Sequence, residues 1–557
     1  MRSRRARIIF VVATRTRPPP VPSPPLRGGR GIPSASGCRN AVRSPPPASE
    51  ASGGEGTGYV VDTSIYSAVY IAVSCVKLNQ DADFGYRRGG KPDSLRSGLF
   101  EGGRDVDNGR SGAFFGPAAA KKGRLLLERL LCERSVTIRR LGEDEAGEKS
   151  FGRFLRNARV SEHTLIAAAK AHVLPQVAGC RVLAIQDTSE INFSRQKRRK
   201  QAFGHGGNGT DPAFFVHPVL VVDADSAVVL GLVDIQIWER HEAVASETAR
   251  ETDSKESKRW LIGAQAAASL RMAGAVSVTV IADREGDTYA AFARRPQEVE
   301  LLVRAQTERC LAGGGHLFKH LDALPIADRF GLDLPAIPGR AARQADMVLR
   351  YGRVRLRRPG KSIDRDLPDG VELYALDVRE IGAPTGVDPV HWRLLSSAPI
   401  DSIEAAHQAI ANYRRRWLIE QLFRTLKSQG LGIEDSQIET PHVLRKLALV
   451  ALRTAVVCMQ LVQARDGADQ RPATAAFDEK DIPVLEAIAP TVDGKTMRLR
   501  NPFQPGSLPW ATWIIARLGA WSGANNAKPP GPITMHRGLQ SFYAIAHGFR
   551  LRDVSTQ

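Results

Sequence analysis

An α/β fold built on a mixed sheet is what this 557-residue sequence predicts. Short apolar runs, such as residues 182–185, have the length and continuity of strands buried on both faces. A hairpin signal at residues 223–226 separates two β-rich runs. Stretches with helical periodicity lie between the remaining runs and after them. The order strand, hairpin, helix, strand, helix, strand is typical of a mixed α/β core.

The composition narrows the class of protein. Hydrophobic residues make up 43% and charged residues 25%, as in an ordinary globular protein. The net charge of +19 favours a polyanionic partner, which is nucleic acid or an anionic membrane surface. The six cysteines are far apart, which excludes a disulfide framework and favours a cytoplasmic protein. No uncharged apolar run reaches the roughly 18 residues that a membrane span needs, so we expect no membrane partner.

The N-terminal segment, residues 1–110, is expected to stay outside the folded domains. Residues 1–50 contain ten prolines, ten arginines and a single acidic residue, and this composition cannot bury enough apolar surface to fold. We interpret the segment as a disordered tail or as translated sequence upstream of the true start codon. A DNA-binding arm is the alternative.

The remaining patterns predict four regions. A small helical domain covers residues 111–179, and an α/β core covers residues 180–309 and 391–465. An inserted β subdomain, with strands at 347–356 and 371–378, covers residues 310–390. A C-terminal helical domain covers residues 466–557, with a kink expected at the Pro529–Pro530 pair. In the core, strands are expected at 182–185, 214–222, 227–238, 276–282, 298–304 and 392–395, and helices at 255–273 and 403–427.

Two of the core strands end in an aspartate, Asp187 and Asp283. The carboxyl end of a strand is where α/β sheets place their sites. Two carboxylates on neighbouring strands can share a divalent metal ion, because Mg²⁺ prefers hard oxygen ligands. The alternative is that each aspartate caps the turn or helix that follows it.

The helix predicted over residues 403–427 carries a third carboxylate. At about 100° per residue, Tyr413, Arg416, Glu420 and Lys427 fall within one stripe about 60° wide. Apolar residues of the same helix cluster on an adjoining face that can be buried. The stripe is typical of a metal ligand flanked by phosphate-binding cations. A solvated helix face, with Glu420 paired to the residue four positions later, is the alternative.

The spacing Tyr-x-x-Arg-x-x-x-Glu-x-x-x-x-x-x-Lys resembles the signature of the insertion sequence four family of DDE transposases, the group with the Tyr-Arg-Glu-Lys motif. The Asp187-Thr-Ser and Asp283-Arg-Glu contexts resemble the first and second aspartates of that family. The intervals of 96 and 137 residues between the three acids are also similar, the second being long because the family inserts a β domain there. The C-terminal segment that begins Ser507-Leu-Pro-Trp resembles the family's closing segment. The likeness covers residues 120–550 or so.

The resemblance implies a ribonuclease-H-like fold in which Asp187, Asp283 and Glu420 form a catalytic triad. The triad would bind two Mg²⁺ ions, or Mn²⁺ in their place, for in-line displacement at phosphorus. Three residues would contact phosphates near the transposon end, namely Tyr413, Arg416 and Lys427. Trp392 occupies the position where relatives that form a DNA hairpin stack an extruded base, with a core position as the alternative.

The implied partners are double-stranded DNA, both the terminal inverted repeats and the target, and a second copy of the chain in a homodimer. Residues 111–179 would bind the DNA ends, and residues 466–557 would dimerise. The implied location is the bacterial cytoplasm, at the nucleoid.

Three functions remain open on these grounds. The first is an active cut-and-paste transposase. The second is a catalytically silent DNA-binding inhibitor or inactive copy, because the stretch from Phe115 to Lys122 replaces the Gly-Asp-x-Arg-type stretch of relatives. The third, a simple metal-dependent nuclease, gives no reason for the complete Tyr-Arg-Glu-Lys stripe.

Overall fold

The structure is a computed structural model that describes residues 116–241, 258–334, 341–360, 366–427, 430–523 and 528–555. The predicted N-terminal extension, residues 1–110, lies outside the described residues. The chain divides into two compact units. One comprises residues 1–77 and 332–345, of which the structure describes the end of one strand and the start of the next. The other comprises residues 78–331 and 346–557 and carries all of the predicted site residues.

The helices within the described residues lie before the sheet, between its strands and after it. They are α1 (Pro117–Glu133), α2 (Ile138–Gly142), α3 (Glu145–Arg156), α4 (Glu162–Val173), α5 (Arg259–Met272), α6 (Tyr289–Ala293), α7 (Leu317–Ala323), α8 (Ile403–Arg414), α9 (Trp417–Leu426), α10 (Pro441–Ala464), α11 (Ile482–Val492), α12 (Leu508–Leu518) and α13 (Pro532–Ser555). Several begin at serine caps, as Ser161 and Ser402 do for α4 and α8.

Eight strands lie where the apolar runs predict them, within a few residues, whereas the strands at residues 189–192 and 328–334 are not predicted. They are β1 (Arg181–Gln186), β2 (Ser189–Asn192), β3 (Ala213–Asp223), β4 (Val229–Trp238), β5 (Ser277–Ala282), β6 (Glu300–Arg304), β7 (Asp328–Leu334), β8 (Arg343–Arg357), β9 (Gly370–Ile381) and β10 (His391–Ser396). β1 is buried at every position after Arg181, which explains why its apolar run is continuous and does not alternate with polar residues.

Within the unit that carries the site, the sheet has the order β2–β3–β1–β5–β6–β10–β9–β8, and β4 also pairs with β3. β4, β3 and β1 form an antiparallel meander, and β5 and β6 then add in parallel to β1. The mixed sheet is the ribonuclease-H-like arrangement that the sequence predicts, and the prediction of fold class is confirmed. The inserted strands β8 and β9 extend the same sheet, because β9 pairs antiparallel with β10.

α5 lies close against the sheet beside β1, and Gly263 allows that approach. A Cβ built on Gly263 would lie 2.2 Å from Oε1 of Gln186, so the helix could not keep this distance with any larger residue. Trp260, Ala264 and Ala267 of the same helix are buried in the core between helix and sheet. The small residues Gly263, Ala264 and Ala267 therefore allow α5 to lie directly behind the end of β1.

The single helix predicted over residues 403–427 is wrong, because the chain breaks it into α8 and α9. Around the junction the amide of Arg416 donates to the carbonyl of Tyr413, an i→i−3 bond that tightens the turn. At the same junction the guanidinium of Arg415 donates to Oδ1 of Asn412 at 3.1 Å and to the carbonyl of Asp225 at 3.3 Å. The 3.6-residue periodicity of the sequence carries no signal for such a local change of pitch.

The C-terminal region also differs from its prediction. A kinked helical stretch at 502–551 is expected, whereas the structure has two separate helices, α12 and α13, with the Pro529–Pro530 pair between them. α12 already ends at Leu518 and α13 begins at Pro532, so the proline pair lies in the connection between the two helices and kinks neither of them. α1 packs against α10 and α13, so the N-terminal and C-terminal helices share one apolar core.

α10 is long and apolar enough to cross a membrane by length and composition, with a mean hydropathy of 1.7 over its most apolar window. That window is 78% buried inside the protein, where α10 packs against α1, α9 and β4. The helix is therefore the central core helix of the described fold.

Candidate active site

The sheet register brings Asp187 and Asp283 to the same level at one edge. Ile185 of β1 pairs in parallel with Ile281 of β5, and each aspartate follows its isoleucine by two residues. Both carboxyl groups therefore lie at the carboxyl ends of adjacent parallel strands, as the sequence predicts.

Glu420 reaches the same edge from α9. The helix buries Ile419, Leu422 and Phe423 against the core, which leaves the carboxylate of Glu420 on its half-exposed side. The apolar face that the sequence predicts for this helix is thus the one that is buried. Arg424, the alternative partner of Glu420, lies instead over the ring of Trp417 at 4.6 Å from its centroid.

One guanidinium joins all three acids, which we call the carboxylate centre (Asp187, Asp283 and Glu420). Nη1 of Arg416 donates to Oδ2 of Asp187 at 2.8 Å. Nη2 of the same arginine lies 3.7 Å from Oδ2 of Asp283 and 3.5 Å from Oε1 of Glu420. Since Asp283 and Glu420 contact the same nitrogen atom, the three acids that lie far apart in sequence meet at one point.

The charges of the centre do not balance, because three carboxylates share a single cation. Burial raises the pKa of Asp187 to about 7 even though Arg416 acts in the opposite direction, and Glu420 adds to the rise. Burial lowers the pKa of Arg416, but Asp283 and the other neighbouring groups outweigh it and hold that pKa above its ordinary value. The centre is therefore short of positive charge.

Tyr413 holds the second aspartate. Its hydroxyl donates to Oδ1 of Asp283 at 3.2 Å, and burial, followed by the charge of Asp283, raises its pKa. The ring of Trp392 lies 6.2 Å from that of Tyr413, centroid to centroid. Trp392 is buried, which favours the core interpretation of this residue in the present conformation.

Lys427 lies just past the end of α9 and connects two segments. Its ammonium donates to the carbonyl of Glu190 in β2 and lies 3.4 Å from the carboxylate of Glu434. Of the residues predicted to contact DNA, Tyr413, Arg416 and Lys427 are thus all engaged with protein groups in this structure.

A chain of hydrogen bonds behind Asp187 was not predicted from the sequence. Nε2 of His217 lies 3.0 Å from Oε1 of Gln186, and its Nδ1 lies 2.9 Å from the hydroxyl of Thr188. The Gln186 amide donates to the carbonyl of Trp260, so its oxygen faces His217 and the histidine carries its proton on Nε2. Burial, followed by the charge of Arg259, lowers the pKa of His217 well below its usual value. A lone histidine inside the apolar run of β3 is the one sequence signal for this network.

Thr188 connects this chain of hydrogen bonds to Asp187 of the carboxylate centre. Its backbone amide donates to Oδ1 of Asp187 at 2.8 Å, while its hydroxyl accepts from Nε of Arg259 at 2.9 Å. The guanidinium of Arg259 also pairs with Glu285, two residues after Asp283. The strand ends that carry the first two acids are therefore linked through Thr188 and Arg259.

The chemistry of the centre suits a divalent metal ion, because its donors are hard carboxylate oxygens and it lacks positive charge. Among the described residues, no three acidic, histidine or cysteine side chains are arranged as a ready set of metal ligands. Arg416 lies among the three carboxylates and accounts for this. The residues fit a metal ion in kind, provided that Arg416 withdraws from Asp187.

A solved structure of piggyBac transposase, a cryo-EM synaptic complex with hairpin DNA, is similar to 82% of this chain and 75% of that chain. The sequence identity is 8% and the TM-score is 0.33, which is too low for a conclusion about this chain.

A family model described as the transposase DDE domain matches residues 179–457, about half of the chain. The matched segment begins just before β1, includes the whole carboxylate centre and ends inside α10. Proteins with this domain are DNA transposases, and they generally use divalent metal ions. The chain belongs to the family of transposases with a DDE domain.

Proposed function

We propose that this protein is a metal-dependent DNA transposase of the insertion sequence four type, which cleaves DNA at transposon ends and joins them to target DNA. One observation carries the proposal. Acids from three separate elements, Asp187, Asp283 and Glu420, converge on the single guanidinium of Arg416. A merely structural ion pair needs one carboxylate for each arginine, whereas a centre with excess carboxylate has the charge that a divalent cation would balance.

We assign Asp187, Asp283 and Glu420 as the catalytic residues and metal ligands, with two Mg²⁺ ions as the expected cofactor and Mn²⁺ as a substitute. When bound, such ions activate water or a 3′-hydroxyl and stabilise the leaving oxygen. Arg416 then leaves the carboxylates and can donate two parallel hydrogen bonds to a phosphate of the DNA strand.

Tyr413 and Lys427 have different roles in this proposal. The Tyr413 hydroxyl is used by Asp283, so we assign Tyr413 as a positioning residue that orients the second acid. The Lys427 ammonium has three N–H donors. Two of them face Glu190 and Glu434 in this structure, which leaves one for a phosphate.

The partners follow from the same proposal. The substrate is double-stranded DNA that carries the terminal repeats, and the synaptic complex is a homodimer. We propose that residues 111–179 bind the ends and that residues 466–557 dimerise. Cut-and-paste transposition in the bacterial cytoplasm is the process that this arrangement would serve.

The test is cleavage of a plasmid that carries the gene together with its flanking genomic DNA. Wild-type protein should nick the flanks when Mg²⁺ is present and should not do so in EDTA. Glu420→Gln keeps the shape of the side chain and removes its charge, so this variant should bind the same DNA and lose cleavage by at least about a hundredfold. Lys427→Ala should still cleave at low salt, with a log–log salt dependence of binding smaller by about 0.9.

Glu372→Gln is the matched control, because Glu372 is exposed on β9 and its ion pairs within the described residues are with the surface arginines Arg353 and Arg355. It should cleave like wild type. Cleavage by Glu420→Gln at the wild-type rate would refute the catalytic assignment. A wild-type protein that binds the flanks and cleaves in neither Mg²⁺ nor Mn²⁺ would instead establish the alternative, a silent DNA-binding inhibitor or inactive copy.

A further inference from the structure

An open cleft of about 600 Å³ lies on the side of the protein to which Lys427 and Glu434 connect the end of α9, and it has no role in the proposal above. Two segments form it, the loop that follows β2 and the stretch that follows α9. The residues that line the cleft, here named the basic cleft, are Ser194, Arg195, Gln196, Lys197, Arg198, Arg199, Asp435 and Gln437.

The loop of the basic cleft has five cations in six consecutive positions, residues 195–200. Such a run is usually a solvated surface with no defined shape. Here consecutive turns fold it, since the amide of Arg199 donates to the carbonyl of Gln196 and that of Phe203 to the carbonyl of Lys200. As a result Arg195, Arg198 and Arg199 are exposed on the cleft, whereas Lys200 is fully buried.

Lys200 is the anchor of the loop. Its ammonium donates to the carbonyl of Ser436 at 2.9 Å and also to the carbonyl of Ile438. The same ammonium lies 4.7 Å from the ring centroid of Phe193 and 5.3 Å from that of Phe203. A buried lysine with two carbonyl acceptors and two aromatic rings is well compensated. It therefore fixes the loop to the segment that follows α9.

Two more bonds hold the same walls together and connect them to the centre. Nε2 of Gln196 donates to the carbonyl of Glu434 at 2.9 Å, and the carboxylate of Glu434 accepts from the amide of Asn192. Glu434 also pairs with Lys427 at the end of the helix that carries Glu420. From Glu420 to Lys427 the helix advances about 10 Å, which is roughly three phosphates along one DNA strand.

The arginine side chains of the basic cleft are available to bind an anionic partner. Within the described residues, the side chains of Arg195, Arg198 and Arg199 make no hydrogen bond or ion pair. Lys197 pairs with Asp211, and Asp435 is the single acid among the lining residues. Three unpaired arginines on a fixed loop have the charge and the planar donors that phosphate groups select.

We propose that the basic cleft binds the phosphodiester backbone of a DNA duplex, a few phosphates away from the bond at the carboxylate centre. The inference rests on the proposed DNA substrate and adds a second contact surface to it. Because the contacts go to the backbone, they position the strand and read no sequence.

The test measures binding of the full-length protein to a fluorescent 40-base-pair duplex of arbitrary sequence over a series of salt concentrations. The variant replaces Arg195, Arg198 and Arg199 by alanine. Each lost phosphate contact lowers the log–log salt slope by about 0.9, so a loss of all three contacts lowers it by about 2.7. The corresponding triple lysine variant should keep most of the wild-type slope, because it keeps the charge.

A matched control removes the same charge from another surface, through alanine at Arg353, Arg355 and Arg357 on the outer face of β8. The inference requires a clearly larger loss of slope in the cleft variant than in this control, with both variants melting as one cooperative transition at the wild-type temperature. Equal losses would overturn it, since the cleft would then contribute only net charge. Failure of the wild-type protein to bind any duplex would refute the proposed function itself. Cleavage by the wild-type protein, together with an unchanged salt slope in the cleft variant, would refute only the inference that the basic cleft binds DNA.

Discussion

The carboxylate centre and a second buried acid, Asp377 of β9, bury negative charge in opposite ways. In the centre three acids share Arg416. Around Asp377 the ratio is reversed, because one fully buried carboxylate faces Arg350, Arg379, Arg393 and His391. The imidazole of His391 lies 2.7 Å from Oδ1 of Asp377, and Nε of Arg393 lies 3.2 Å from the same atom.

The pKa values follow the two ratios. Burial raises the pKa of Asp187 to about 7. Burial acts in the same direction on Asp377, but the hydrogen bond from His391 and the neighbouring arginines outweigh it and hold the pKa of Asp377 below its usual value. An acid surrounded by an excess of cations needs no further partner, as expected of a structural element. Three acids that share one cation leave negative charge unbalanced, which is what the proposed metal site requires.

The largest expected effect is on the structural side of this comparison. Asp377→Asn removes the fully buried anion that Arg350, Arg379 and Arg393 share, so the free energy of unfolding at pH 7 should fall by about 3–5 kcal/mol. Urea denaturation measures the loss. Asp322→Asn is the control, since Asp322 pairs with the same arginines from a half-exposed position and should cost about 1 kcal/mol or less. A similar loss in the free energy of unfolding for both variants would contradict the interpretation of Asp377 as a structural acid.

The pH dependence sharpens the same prediction. Because the folded pKa of Asp377 is depressed, its contribution to stability is complete above the unfolded pKa of about 3.9 and is lost as the pH falls through the folded value. The stability difference between wild type and Asp377→Asn should therefore be constant from about pH 5 upward and should shrink below about pH 4. A difference that shrinks near pH 7 instead would implicate another group.

The next effect concerns the carboxylate centre, where the proposed function places the metal ions. At a concentration a hundred times its dissociation constant, Mg²⁺ should stabilise the wild-type fold by about 2.7 kcal/mol. Glu420→Gln should lose most of this gain, and Asp377→Asn should keep it. If Mg²⁺ stabilises Glu420→Gln as much as wild type, the ion binds elsewhere.

A smaller effect is expected at Tyr413. Tyr413→Phe removes the donor to Asp283 and should cost about 1 kcal/mol in the free energy of unfolding. It should also lower the affinity for Mg²⁺, because the carboxylate of Asp283 loses its orientation. Tyr351→Phe is the control, since no hydrogen bond of the Tyr351 hydroxyl occurs within the described residues. A change in stability with unaltered Mg²⁺ affinity would reduce Tyr413 to a packing role.

The smallest effect is the most diagnostic. Without divalent ions at pH 8, Asp187→Asn should leave the free energy of unfolding within about 1 kcal/mol of wild type, or raise it, because it removes an anion that burial disfavours. A thermal melt of both proteins in EDTA measures this. A loss as large as that of Asp377→Asn would make Asp187 a structural acid.

The sequence predicts the sheet well and the environment of the acids poorly. Strands such as β1 and β5 are readable because burial on both faces leaves a continuous apolar run that ends at the aspartate. The same burial tells nothing about which cation an acid meets. The sequence predicts that Arg416 contacts a phosphate, whereas in the structure it contacts the carboxylates. The break between α8 and α9 lies just before Arg416 and includes a contact of Arg415 with the distant carbonyl of Asp225, which a local pattern does not predict.

Lys200 shows the same limit from the opposite side. In sequence it is one more cation in a basic run, and helical or strand periodicity gives no reason to bury it. Its burial depends on carbonyls more than 200 residues away, at Ser436 and Ile438. Local pattern therefore predicts which elements form, whereas long-range partners decide what each charged residue does.

The register between β1 and β5 has a consequence for which insertions and deletions the carboxylate centre can tolerate. Ile185 lies opposite Ile281, and each aspartate follows two residues later, so the two acids meet through equal spacing alone. Loss of one codon within either strand would shift its aspartate by one position and turn the side chain to the other face of the sheet. Codons gained or lost in surface turns leave the strands aligned and cost little. The length of two six-residue strands, more than the composition of the loops, thus decides which length variants of this protein keep the three acids assembled.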